Sequence, residues 1–170
     1  SFTLWAAADS WYLLTGLAIA NILTVVTAAL AGLALATVLH EWSHFAGAHF
    51  GGASYSVTPK PGFFVYEFDF ENSSLRQFYS MSLSGQGGSW LAVVLIALMI
   101  PLDNAGRTML LSAAVGSAVY GGVIEWPVLR RTQLSSAPLE ELMKIDQTVL
   151  RRAGVLAGAT TMVTWWLLPA

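Results

Sequence analysis

The chain has 170 residues, 55% of them hydrophobic and 11% charged, with a formal net charge of −2. A soluble domain of this length carries about a quarter charged residues, so lipid is the expected solvent, in one domain. The slightly acidic balance argues against nucleic acid as a partner, and the absence of cysteine excludes disulfides and thiolate chemistry.

Four stretches lack formal charge, at residues 10–39, 77–102, 108–124 and 153–170. A helix crosses a bilayer core of about 30 Å with roughly 20 apolar residues. The expected fold is therefore an all-α polytopic membrane protein, a single membrane domain over 1–170. Its four transmembrane helices are expected near 11–46, 77–101, 107–127 and 153–168. The first stretch is long enough for one tilted helix or a broken one. No basic residues precede it and no clear cleavage site follows it, so it does not read as a cleavable signal peptide.

Between the first two spans, residues 51–75 turn polar and glycine-bearing. There Phe64, Tyr66, Phe68 and Phe70 alternate with Val65, Glu67, Asp69 and Glu71. Period-two alternation with aromatics on one side predicts a half-buried strand, making 51–75 a small β region. Between the last two spans, residues 131–152 open with Ser135-Ser136-Ala137-Pro138. Leu139, Leu142, Met143, Asp146 and Leu150 then mark a surface helix.

With four crossings, Lys60, Arg76, Arg130, Arg131, Lys144, Arg151 and Arg152 share one side and only Arg107 faces the other. The basic side is expected to be cytoplasmic. Both termini then lie outside the cytoplasm, and a bacterial inner membrane suits this pattern. Trp5, Trp11, Trp165 and Trp166 fall where aromatic belts form. Asn72-Ser73-Ser74 fits a glycosylation sequon but lies on the expected inner side, where it reads as chance.

The chemistry concentrates in His40-Glu41-Trp42-Ser43-His44. On a helix, residues four apart share a face, so the two imidazoles can bind one Zn2+ at about 2.0–2.1 Å each. Glu41 is then the general base that activates the attacking water. A chance match would have to accommodate three ionisable groups in or near a span, at a few kcal/mol each. A catalytic zinc needs a third protein ligand. His49 falls one residue short of the soluble metalloprotease spacing after Gly47. Asp103 sits in the turn before the third span. Glu125 lies roughly 27 Å further in than Arg107, at 1.5 Å per residue, level with the histidines. Glu125 is therefore the expected third ligand and Asp103 the alternative. Two histidines on one helix face cannot clamp a haem from both sides, and three in the chain are too few for a diiron oxygenase.

The segment Val38-Leu39-His40-Glu41-Trp42-Ser43-His44-Phe45, followed by Ala48 and Gly51-Gly52, resembles the signature of site-2 intramembrane proteases. The order of motif helix, short strand region and glycine-bearing helix is similar too. The resemblance covers roughly residues 30–127 and is specific at the first motif. It implies peptide-bond hydrolysis with zinc as cofactor, and a transmembrane protein as substrate within the lipid. The family's Gly-Pro-x-x-Asn motif corresponds to Ser84-Gly85-Gln86-Gly87-Gly88-Ser89, with Gln86 for proline and Ser89 for asparagine. By that resemblance Gln86 and Ser89 take the oxyanion or substrate-positioning role. The family's aspartate ligand in Leu-Asp-Gly resembles Leu102-Asp103-Asn104, which the charge distribution puts at the wrong end of the membrane. These departures also suit an inactive relative serving as a subunit of a larger membrane complex. In an active enzyme, the strand over 64–70 would hold an unwound substrate by edge pairing.

Overall fold

The computed structural model describes residues 1–57 and 66–168. It is mostly helical, with a two-stranded sheet inserted between its longest helix and the next one. In chain order the elements are α1 (Phe2–Thr15), α2 (Ala18–Phe50), β1 (Tyr55–Val57), β2 (Tyr66–Phe68), α3 (Leu75–Met99), α4 (Ala105–Ser135), α5 (Pro138–Met143) and α6 (Gln147–Leu167).

By length and composition, α2, α3 and α4 are each able to cross a membrane. The 21 residues of α6 span about 30 Å, but Arg151 and Arg152 in its second turn and several threonines dilute its apolar character. It is not among the candidate spans.

The expected first span, 11–46, is broken. Gly16 adopts φ 64° and returns its N–H to the carbonyl of Tyr12, a left-handed stop that glycine takes without steric cost. Leu17 is extended and α2 begins at Ala18. At 14 residues, or about 21 Å, α1 is too short to cross. Instead it stays at the starting end of α4, where Asp9 accepts from Asn104 Nδ2 at 3.0 Å and pairs with Arg107 at 2.9 Å.

A stripe of small residues on α2, namely Ala20, Thr24, Ala28, Gly32 and Ala36, is buried at intervals of four. Such a stripe lets backbones approach where lipid gives no hydrophobic drive for association. Gly32 lies against the Leu110 carbonyl of α4, and Gly106 of α4 lies against the Thr24 methyl. The opposite helix faces expose residues such as Leu14, Leu98 and Trp166, as lipid-facing surfaces do.

Within the expected β region of 51–75, the described residues hold two short strands. Tyr55–Val57 pairs antiparallel with Tyr66–Phe68, Tyr55 opposite Phe68. Tyr66 and Phe68 are half-buried while Glu67 is exposed, so the alternation holds there; Phe64 and Val65 lie outside the described residues. Asn72 and Ser74 of the sequon have structural partners. Asn72 donates to Asp69 at 2.7 Å, and Ser74 forms a capping box with Gln77 that starts α3. The predicted surface helix across 131–152 resolves into three parts, with α4 running on to Ser135, the short α5, and α6 beginning at Gln147.

Two apolar clusters hold the bundle. One gathers Trp5, Ala28, Ile96, Met109 and Leu110 between α1, α2, α3 and α4. The other gathers Ala48, Phe78, Met81, Val128 and Leu129, with Tyr66, Phe68, Leu142 and Ile145 against it. Along α2, Ala36 belongs to the first and Ala48 to the second. The histidines fall between them.

Candidate metal centre

His40 and His44 project from one face of α2, one turn apart, with ring centroids 4.4 Å from each other. Glu125 arrives from α4, level with both. Its Oε1 lies 2.8 Å from His40 Nε2 and 3.1 Å from His44 Nε2, and the two Nε2 atoms are 2.9 Å apart. The three side chains are 13 to 16% exposed.

The outer nitrogens of both rings are committed elsewhere. His44 Nδ1 lies 2.9 Å from the Met81 carbonyl. A carbonyl only accepts, so this nitrogen carries the proton, and the neutral ring presents the Nε2 lone pair inward. His40 Nδ1 meets Ser89 Oγ at 2.9 Å. Two imidazole nitrogens and a carboxylate oxygen thus converge on one point, and such a triangle needs a shared cation or an added proton. Ligands of a tetrahedral zinc stand roughly 3.3 Å apart for bonds of about 2.0–2.1 Å. The observed edges of 2.8 to 3.1 Å are somewhat shorter, and His40, His44 and Glu125 form a group able to hold a metal ion. Imidazole held through its far nitrogen by a carbonyl or hydroxyl is the usual support of such ligands.

Glycines make the space. A Cβ on Gly85 would overlap the His44 ring, and one on Gly121 would press on His40 and Gln86. Gln86 and Ser89, expected in the oxyanion or substrate-positioning role, stand behind the ligands. Gln86 Nε2 donates to Glu125 Oε2 at 3.3 Å, and Ser89 is buried against His40. Asp103, the alternative ligand, is not brought to the site. It pairs with Arg107 at 2.9 Å, its side chain 61% exposed, 22 residues before Glu125 on the chain and about 33 Å away along the helix. His49 also lies apart, bonded to the Tyr55 hydroxyl at 2.8 Å and stacked on Phe45.

The triad opens onto a cavity of about 900 Å³ that Glu41 also lines. Its walls come from α2, α3, α4, β2 and the segment joining α4 to α6, and they are chiefly apolar, including Leu33, Phe68, Ile124 and Leu142. Tyr66 lines the same cavity. Its ring packs on Phe45 at 5.5 Å and Tyr55 at 6.0 Å. Burial pushes the Tyr66 phenol up, and the nearby carboxylates of Glu41 and Glu125 push it further, so its O–H stays a donor.

Sequence reasoning singled out the triad and Glu41 but not Tyr66 as a site residue. The signal was present, since alternation puts Tyr66 on the inward face of its strand. The Met81 carbonyl has no sequence signal at all, because every residue offers one. No protein family, curated protein or solved structure matches the chain.

Proposed function

We propose that the chain is an intramembrane zinc metalloprotease, similar to site-2 proteases, that hydrolyses a transmembrane protein near the cytoplasmic face. The observation that carries this reading is the convergence of His40, His44 and Glu125 beside Glu41, in a cavity among apolar helices. Ionisable groups at such depth are costly, and they mark function.

Bound zinc supplies a Lewis acid that polarises the scissile carbonyl and acidifies water. Glu41 removes the proton from the attacking water and delivers it to the leaving amine. Ser89, Gln86 and the Met81 carbonyl hold the ligand side chains in place. The apolar walls exclude bulk water and accept the side chains flanking the cut. An unwound substrate segment pairs with the free edge of the β1–β2 hairpin.

In this reading α6 is a fourth span, which returns the chain to the side where α1 lies. Six basic residues (Arg76, Arg130, Arg131, Lys144, Arg151, Arg152) then sit at the histidine end and Arg107 at the other. That asymmetry makes the histidine end cytoplasmic, with both termini outside, as in a bacterial inner membrane.

A second reading is a subunit that holds metal without cutting. The engagement of Gln86 and Ser89 with the ligands favours it, since Ser89 meets His40 and Gln86 faces Glu125 without lining the cavity. Glu41→Gln separates the two. In a protease it keeps zinc and loses cleavage of a reconstituted transmembrane substrate by at least about 10²-fold, as expected for a general base. A wild type that holds zinc and cuts no such substrate would leave the subunit reading.

A further inference from the structure

Peptide hydrolysis puts negative charge on the carbonyl oxygen as water adds to the carbon. An enzyme gains most by aiming a preset donor at that position. Ser89 meets His40 Nδ1, and Gln86, which donates one N–H to Glu125 from behind the ligands, does not line the cavity. Thr37, another hydroxyl lining the cavity, bonds back to the Leu33 carbonyl at 2.8 Å.

Tyr66 combines features that none of these shows together. It lines the cavity together with both histidines, Glu41 and Glu125. Its ring is gripped by Phe45, one turn beyond Glu41 on α2, and by Tyr55 of the paired strand. Its hydroxyl bonds to no partner among the described residues. The element carrying it is the one that would align an extended substrate, so strand pairing and donor placement come from the same three residues.

We propose that Tyr66 is a catalytic residue whose phenolic O–H donates to the oxyanion of the tetrahedral intermediate. The proposal rests on the protease reading above. In the step, the water oxygen bonds to the carbonyl carbon and Glu41 takes its proton. The carbonyl π pair moves onto oxygen, where Tyr66 donates a hydrogen bond. The pair then returns, the C–N bond breaks, and the amine leaves with the proton from Glu41. The Tyr66 proton stays on its own oxygen throughout.

Tyr66→Phe removes the donor and keeps the ring packing. In full-length protein with a reconstituted transmembrane substrate, kcat falls about 10²–10³-fold, as for loss of one oxyanion donor. KM and zinc per chain stay at wild-type values. A phosphinate peptide, which mimics the tetrahedral state, loses affinity by a factor similar to the loss in kcat/KM. Tyr12→Phe, on α1 and away from the cavity, leaves kcat within about threefold of wild type on this assignment, since it removes no oxyanion donor. Unchanged kcat in Tyr66→Phe, a change in KM alone, or loss of zinc overturns the role of Tyr66 while the protease reading stands. A zinc-loaded wild type that does not cut overturns both.

Discussion

At the scale of single residues, the site is three inward-facing acceptors kept in register by groups that do not touch the centre. His44 is fixed by a backbone carbonyl, His40 by Ser89 and Glu125 by Gln86. Supports of this kind typically account for 10- to 100-fold in metal affinity. Ser89→Ala and Gln86→Leu are each expected to raise the zinc dissociation constant about 10- to 100-fold with helix content unchanged, measured by competition with a chelator in detergent. Wild-type affinity in both would mean that the two contacts are incidental. The grouping of His40, His44 and Glu125, able to hold a metal ion, was legible in the sequence. Spacing by four put His40 and His44 on one face, and helix rise put Glu125 at their depth and Asp103 a membrane thickness away. The contacts of Gln86 with Glu125 and of Ser89 with His40 were not legible. A glutamine or serine reads the same whether it faces substrate or a ligand, and only the third dimension distinguishes them.

At the scale of elements, α5 is the shortest helix with a role in the site. It hangs between α4 and α6 and brings Leu142 to the cavity wall. Its anchor is Glu141, buried beneath Arg131 and Lys144 at 2.8 and 2.7 Å. The hydrogen bond from Lys144, with that from Arg131, holds the Glu141 carboxyl below its ordinary value of 4.5. A depressed acid stabilises the fold fully above the ordinary value, and that stabilisation is lost as pH falls through the lower folded value. Amide exchange in α5 is therefore expected to quicken relative to α6 as pH drops below about 4.5. In Glu141→Gln it is already fast at neutral pH and shows no such step. Equal protection of α5 in both proteins across pH 3–7 would contradict this anchor.

The sequence showed that a helix belongs somewhere in 131–152 but not how it divides. Pro138 starts α5, while the end of α4 at Ser136, with φ 55°, carries none of the usual glycine signal. The break after α1 was left open for the converse reason. A glycine within a long apolar run is as compatible with a continuous helix as with a stop, and the docking of Asp9 on Asn104 and Arg107 joins residues 95 and 98 apart in the chain.

At the scale of the molecule, the helices sort polar function to two ends. The Asp9–Asn104–Arg107–Asp103 cluster sits at one end of α4. The β hairpin, α5 and the C-terminal turns of α2 and α4 gather at the other, with the metal centre just inside. The natural absence of cysteine makes this arrangement directly testable by single-cysteine labelling. In oriented vesicles, Ser10→Cys and Asp103→Cys should react with a membrane-impermeant maleimide from one side, and Glu140→Cys only from the other. Labelling of all three from the same side would overturn the membrane reading of α4. Composition made the membrane-spanning character of α2, α3 and α4 legible, while the orientation is an expectation from the charge distribution that this labelling tests. The number of crossings was less so, because α6 is long enough to span while its composition sits at the margin.

If His40, His44 and Glu125 hold zinc as proposed, the decisive measurement is zinc per chain in protein purified without chelators. Wild type and Asp103→Ala are expected to carry close to one zinc per chain, and His44→Ala and Glu125→Ala to lose it. A wild type without zinc, or zinc lost with Asp103 and kept without Glu125, would contradict the account.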